Sequence, residues 1–159
     1  MKTIIALLLS MFCITAHAQT LSLGIGQAVS NSLNDEHSTA WMISQGFPVS
    51  GPFRVQVGYL NEGHQRGSKR DGITVLGAYR SRFMPWLHTE AYLGGYITST
   101  TKAIGETTYK DVYRPMLIAG YGVQVSPARP VQVRFTWLHI MSFQSRDSDV
   151  FLASMGWRD

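Results

Sequence analysis

Val131-Gln132-Val133-Arg134-Phe135-Thr136-Trp137-Leu138 is the stretch that decides the fold. Successive side chains of an extended strand point to opposite faces. Val131, Val133, Phe135 and Trp137 therefore share one face, and Gln132, Arg134, Thr136 and Leu138 the other. The same rhythm sets Phe53, Val55, Val57 and Tyr59 against Arg54, Gln56, Gly58 and Leu60. It returns at the end of the chain, where Phe151, Ala153, Met155 and Trp157 oppose Leu152, Ser154, Gly156 and Arg158. One face is oily and the other polar, small or mixed, the pattern of a wall between lipid and a lumen.

Working outward, eight stretches of this kind are bounded by turn formers: 20–30, 39–47, 53–61, 72–82, 87–99, 111–125, 131–142 and 149–158. Their lengths approach the roughly 9 to 11 residues a tilted strand needs to cross a bilayer, whereas strands of water-soluble proteins run nearer about 5 or 6. The connections alternate in kind. Residues 48–52, 83–86 and 126–130 are short and contain proline, while 31–38, 62–71, 100–110 and 143–148 are longer and polar. Short turns at one rim and longer loops at the other belong to transmembrane barrels, the short turns facing the periplasm. An even strand number puts both chain ends on the periplasmic side. Pro115 falls inside the sixth strand, where it would remove a ladder bond; the expectation is a later strand start or a bulge.

Residues 1–18 read as a signal peptide. Lys2 gives a positive start, Ile4 to Ile14 an apolar run broken by Ser10, and Ala16-His17-Ala18 a small-x-small cleavage site. The single cysteine, Cys13, lies in that segment, preceded by Phe12 where a lipoprotein signal needs a small residue. Cleavage after Ala18 leaves residues 19–159 as one domain, without thiol or lipid anchor. Although 45% of residues are apolar, no later stretch offers the 18 consecutive apolar positions of a membrane helix. The formal charge of +4 loses Lys2 on cleavage. The remainder is mild and dispersed, unlike the clustered basic face of a nucleic-acid binder. Gly24-Ile25-Gly26 lacks the third glycine and following helix of a nucleotide fingerprint.

Backbone groups facing hydrocarbon cannot bond to water, so the sheet has to close on itself. The expected fold is all-β: an eight-stranded, antiparallel, up-and-down transmembrane barrel in a bacterial outer membrane. Eight strands enclose room for side chains and not for a pore. Arg54, Arg80, His88, Glu90 and Arg134 fall on inward positions and are expected to form a lumen polar network, because a charge there needs a partner or water. A soluble sandwich or a periplasmic, lipocalin-like ligand-binding barrel shows the same alternation with its oily face turned inward.

On these features the mature chain resembles the small eight-stranded outer-membrane barrels, a group that includes adhesion and resistance proteins. The resemblance implies insertion by the barrel-assembly machinery and contact with outer-membrane lipid and lipopolysaccharide. Such barrels commonly end in an aromatic residue, whereas this chain ends Trp157-Arg158-Asp159. Trp137-Leu138-His139-Ile140-Met141-Ser142 is further similar to the lipid A deacylases, which place His-x-Ser near the outer rim with an acidic partner on the next strand. That likeness implies an esterase acting on lipid A through His139, Ser142 and Asp149. Met141, however, stands where the serine should be, and residues three apart on a strand point to opposite faces.

Two further sets are singled out by composition. Arg66, Lys69 and Arg70 place three cations in five residues, suited to charge-assisted bonds with lipopolysaccharide phosphates. Glu62 and His64 are two possible metal ligands without a third, so no metal and no cofactor is expected. The principal reading is a non-enzymatic barrel with a structural or surface-interaction role. The lipid-A-modifying esterase and the soluble ligand-binding barrel are its alternatives.

Overall fold

Alternation carries the backbone into eight strands: β1 (Thr20–Ser30), β2 (His37–Ser50), β3 (Phe53–Gln65), β4 (Ser68–Met84), β5 (Leu87–Ala103), β6 (Tyr109–Ala128), β7 (Val131–Met141) and β8 (Ser148–Arg158). Each pairs antiparallel with the next, and β8 pairs back onto β1, so the barrel is closed. This computed structural model describes residues 20–31, 36–65, 68–103, 109–128, 130–142 and 147–158. The leader read at residues 1–18 lies outside them.

Which face is outside is settled by exposure. Phe135 is 59% exposed and its neighbour Arg134 only 7%. Leu23, Ile25, Leu93, Ile97 and Met155 are likewise exposed, while Ser22, Ser44, Gln56, Glu90, Gln124 and Gln132 are buried. Oily outside and polar inside is the reverse of a lipocalin-like barrel, so the soluble ligand-binding alternative does not hold. Aromatic side chains collect near both ends of the oily belt: Trp41 and Tyr59 stack at 5.6 Å towards the outer rim, and Phe53 meets Tyr79 edge-on at 5.4 Å near the short turns. Such girdles mark the two membrane interfaces.

The lumen is filled in layers. A polar layer of Ser44, Gln56, Glu90, Gln124 and Arg134 occupies the periplasmic half. Above it Leu76, Leu138, Leu152, Ile118 and Ile140 form an apolar plug. An enclosed cavity between the layers, against Gln56, Leu76, Tyr92 and Arg134, holds about 10 Å³, room for about one water.

The strands on one side of the barrel extend past the stretches read as loops. β3 and β4 continue to Gln65 and from Ser68, and β5 and β6 to Ala103 and from Tyr109. There the inward face carries the polar Glu62 and Arg70 in place of oily side chains, so the oily alternation fades while the hydrogen-bond ladder persists.

Pro115 neither delays β6 nor bulges it: the β5–β6 register runs unbroken through Ile97↔Pro115. The carbonyl of Ile97 is turned towards β4, where a Cβ on Gly72 would come within 2.0 Å of it. In an antiparallel strand a residue's N–H and C=O point the same way, so Ile97 bonds to β4, and Pro115 directs its nitrogen away from β5 towards β7. The β6–β7 ladder stops two residues short, at Leu117↔Met141. Among the described residues no ladder partner stands opposite that nitrogen. Pro115→Ala is therefore expected to change the unfolding free energy in detergent by less than ~0.5 kcal/mol. Tyr121→Pro, at a nitrogen that faces Trp137 within the ladder, should cost several kcal/mol in the same urea titration.

Candidate functional site

Three polar groups stand out, two inside the barrel and one on its outer face. The lower lumen group centres on Glu90, which is 2% exposed. Its Oε1 lies 2.6 Å from Arg80 Nε and its Oε2 3.2 Å from Arg134 Nε. Tyr92 donates its hydroxyl to the same carboxylate. Arg134 also donates to Gln56 and Gln124, both at 3.3 Å, and Gln56 passes the chain to Ser44 at 2.7 Å. The structure thus joins Arg80, Glu90 and Arg134 across β4, β5 and β7. Arg54 and His88 stand half-buried at the periplasmic mouth.

The upper lumen group was not read from sequence. A bulge between Asn61 and Gly63 leaves Glu62 as the unpaired residue of β3. Gly63 permits the turn with φ of 80°, and its N–H is capped by Asn61 Oδ1 at 2.8 Å. Glu62, 0% exposed, accepts a bond from Ser148 Oγ at 2.6 Å and faces Arg70 Nε at 3.4 Å. Arg70 is buried and reaches Met116 Sδ at 3.1 Å.

This corrects the proposed cation cluster. Arg70 is an internal ion-pair partner and not a surface contact for phosphate. Lys69 is half-exposed and pairs with Asp71 at 2.6 Å, and Arg66 lies outside the described residues. The signal was available, since Arg70 shares parity with Thr74, Leu76 and Arg80 on the inward face of β4. Glu62 and His64 also part company, one buried and the other exposed.

The third group faces outward near the rim of the longer loops. His139 and Asp149 are cross-strand partners, with His139 Nδ1 2.9 Å from Asp149 Oδ1. Trp137 Nε1 donates to that oxygen at 2.8 Å, and Asn31 Nδ2 donates to Oδ2 at 2.9 Å. Ser142 does not share this face. The alternation through β7 is unbroken to Met141, so it is Met141 that stands beside His139 on the outer surface, with Ser142 one residue beyond the strand. There the backbone N–H of Ser142 bonds to Asp147 Oδ1 at 2.8 Å. Among the described residues of β7 and β8 on that face, no serine or threonine stands beside the pair.

Directly below the pair, the wall formed by β6, β7, β8 and β1 is hollowed. The depression, about 570 Å³, is walled by Ile25, Tyr121, Phe135, Trp137 and Phe151 and floored by Ala153. It arises because Ala153 sits between Phe135 and Ile25 on neighbouring strands, where a larger side chain would fill the rung. Sequence reading placed His139 and Asp149 but missed Trp137 and Asn31 as the groups that hold Asp149.

No protein-family model matches the chain, and comparison with curated proteins gives no match. Solved structures do match. Neisserial surface protein A aligns with a TM-score of 0.71 at 12% identity, over 91% of this chain and 100% of that one. The N-terminal β-barrel domain of Pseudomonas aeruginosa OprF gives 0.68 at 11% identity, over 90% and 100%. Ail, the attachment invasion locus protein of Yersinia pestis, gives 0.66 at 11% identity, over 91% and 100%. At such identity the likeness is one of fold. The chain is an eight-stranded barrel of the outer-membrane kind, and its oily outer surface around a polar lumen sets it in that membrane.

Glu90 holds two guanidinium groups in the lumen, so removing its charge leaves both uncompensated. Glu90→Gln is expected to destabilise the barrel by about 3 kcal/mol, read from urea unfolding in detergent. An unchanged midpoint would mean that water, and not the carboxylate, neutralises Arg80 and Arg134.

Proposed function

We propose that this protein is a non-enzymatic outer-membrane barrel that seats a lipopolysaccharide molecule against its β6–β7–β8–β1 wall. The supporting observation is the hollow floored by Ala153 and headed by His139 and Asp149. An imidazole and a carboxylate turned away from the lumen are costly in hydrocarbon, so they mark the level of lipid headgroups. Trp137, bonded to Asp149, belongs at that level as well. One acyl chain fits the hollow below, and the polar groups that link acyl chain to sugar come level with His139. Lys69, with Arg66, adds cations at the loop rim for the lipid's phosphates. Cleavage after Ala18 and insertion by the barrel-assembly machinery complete this reading.

A second reading, an esterase acting on lipid A, is favoured by one observation: Asp149, itself held by Trp137 and Asn31, orients His139 as a base would be oriented. Among the described residues, no serine or threonine of β7 or β8 shares the face of His139 near the rim. Two measurements separate the readings. Mass spectrometry of lipid A from cells with and without the protein should show an unchanged acylation pattern; loss of an acyl chain would establish the esterase. Native mass spectrometry of the purified barrel should show retained lipopolysaccharide, reduced severalfold by Ala153→Leu, which fills the hollow without touching the lumen. Equal retention by both forms would remove the proposed seat.

A further inference from the structure

In the periplasmic half of the lumen, hydrogen-bond donors outnumber acceptors. The carboxylate of Glu90 already serves Arg80, Arg134 and Tyr92. Gln124 Oε1 accepts from both of those guanidinium groups. Gln132, two residues from Arg134 on the same inward face, is buried, and its Nε2 has no acceptor among the described residues. Charge is out of balance in the same direction. Arg80 and Arg134 share Glu90, the one carboxylate in this half among the described residues, so even the paired part of the group keeps a net positive charge.

Further cations line the mouth below that group. Arg54 is paired in register with Ala78, which makes Arg80 its diagonal neighbour, a backbone separation of roughly 7 to 8 Å. Arg82 follows Arg80 on the inward face of β4 and is paired with His88 of β5. Arg82 is exposed, and Arg54 and His88 are half-buried. Phe83, of opposite parity, faces the lipid side. The cations of three adjacent strands thus converge on the end of the lumen. A cleft lined by one sign of charge, with walls of low dielectric constant, focuses its field and concentrates counter-ions.

We propose that the periplasmic mouth of the lumen binds a compact oxyanion, a phosphate group, between Arg54 and Arg82. Guanidinium groups present forked pairs of N–H donors that match phosphate oxygens, and a tetrahedral anion supplies the acceptors that this half lacks. The strand wall stands between these cations and the bilayer, so the anion arrives dissolved from the periplasm and not as a lipid headgroup. The site is independent of the outer-face hollow and of lipopolysaccharide.

The test uses the mature barrel folded in an uncharged detergent and titrated with inorganic phosphate at constant ionic strength, followed by phosphorus NMR. Phosphate is expected to bind saturably and to raise the urea midpoint of unfolding above that in chloride of the same ionic strength. Arg82→Gln should weaken binding about tenfold, the effect of one hydrogen bond to a charged group, while the heat-dependent gel mobility of the folded barrel stays the same. Arg54→Gln should weaken it likewise. Lys69→Gln, at the opposite rim, should bind as the parent does. The proposal fails if phosphate and chloride act alike, if Arg82→Gln keeps the parent's affinity, or if Lys69→Gln loses binding as fully. Micelles doped with phosphatidylglycerol distinguish the two sources of phosphate. Free phosphate should keep its affinity there, and its displacement by the lipid would overturn the assignment to a dissolved anion.

Discussion

In hydrocarbon a strand edge has nothing to bond to, and each unpaired backbone group costs several kcal/mol. The ladder between the first and last strands, running from Thr20↔Arg158 to Ser30↔Ser148 without a break, is therefore the contact on which the rest depends. Closure also creates the candidate site. Asp149 lies on β8 between His139 of β7 and Val29 of β1. The bond from Asn31, which follows β1, to Asp149 crosses the seam itself. The hollow floored by Ala153 spans the same seam. An open sheet would have neither feature.

Closure leaves an interior of fixed width, and the side chains that fill it come from strands far apart in sequence. Glu62 of β3 meets Ser148 of β8, and Arg134 of β7 meets Gln56 of β3. These bonds cross the lumen and brace opposite walls. An apolar plug separates the two polar groups, so each has to satisfy its own charges. That explains why Arg70, although beside a basic hairpin tip, turns inward to Glu62.

Period-two alternation was enough to read the strand count, the antiparallel order and which side chains face lipid, because burial acts on every second residue. It located Arg80, Glu90 and Arg134 on inward positions. It could not say which of them meet, since parity fixes the face of a wall and not the angle around the barrel. The upper group was hidden for a different reason. Asn61-Glu62-Gly63 looks like the start of a loop, and the bulge there depends on a positive φ at Gly63 that sequence suggests only weakly. The extensions of β3 and β4 were illegible because their inward positions are filled by charged residues, Glu62 and Arg70, and not by oily ones. Pro115 was misread because its effect depends on where the neighbouring strand ends, which is a property of β7 and not of β6.

Parity also decides what chemistry the outer rim can perform. A histidine and a hydroxyl two apart on a strand share a face and can meet; three apart they are divided by the wall. At His139 the neighbour on the same face is Met141, a thioether with no proton to surrender. The acid partner is nonetheless in place, held by Trp137 and Asn31. Those bonds engage both oxygens of Asp149 and hold it against the imidazole of His139. Below this pair lies the hollow floored by Ala153, and it is this succession of polar pair above apolar hollow that the proposed lipid seat rests on.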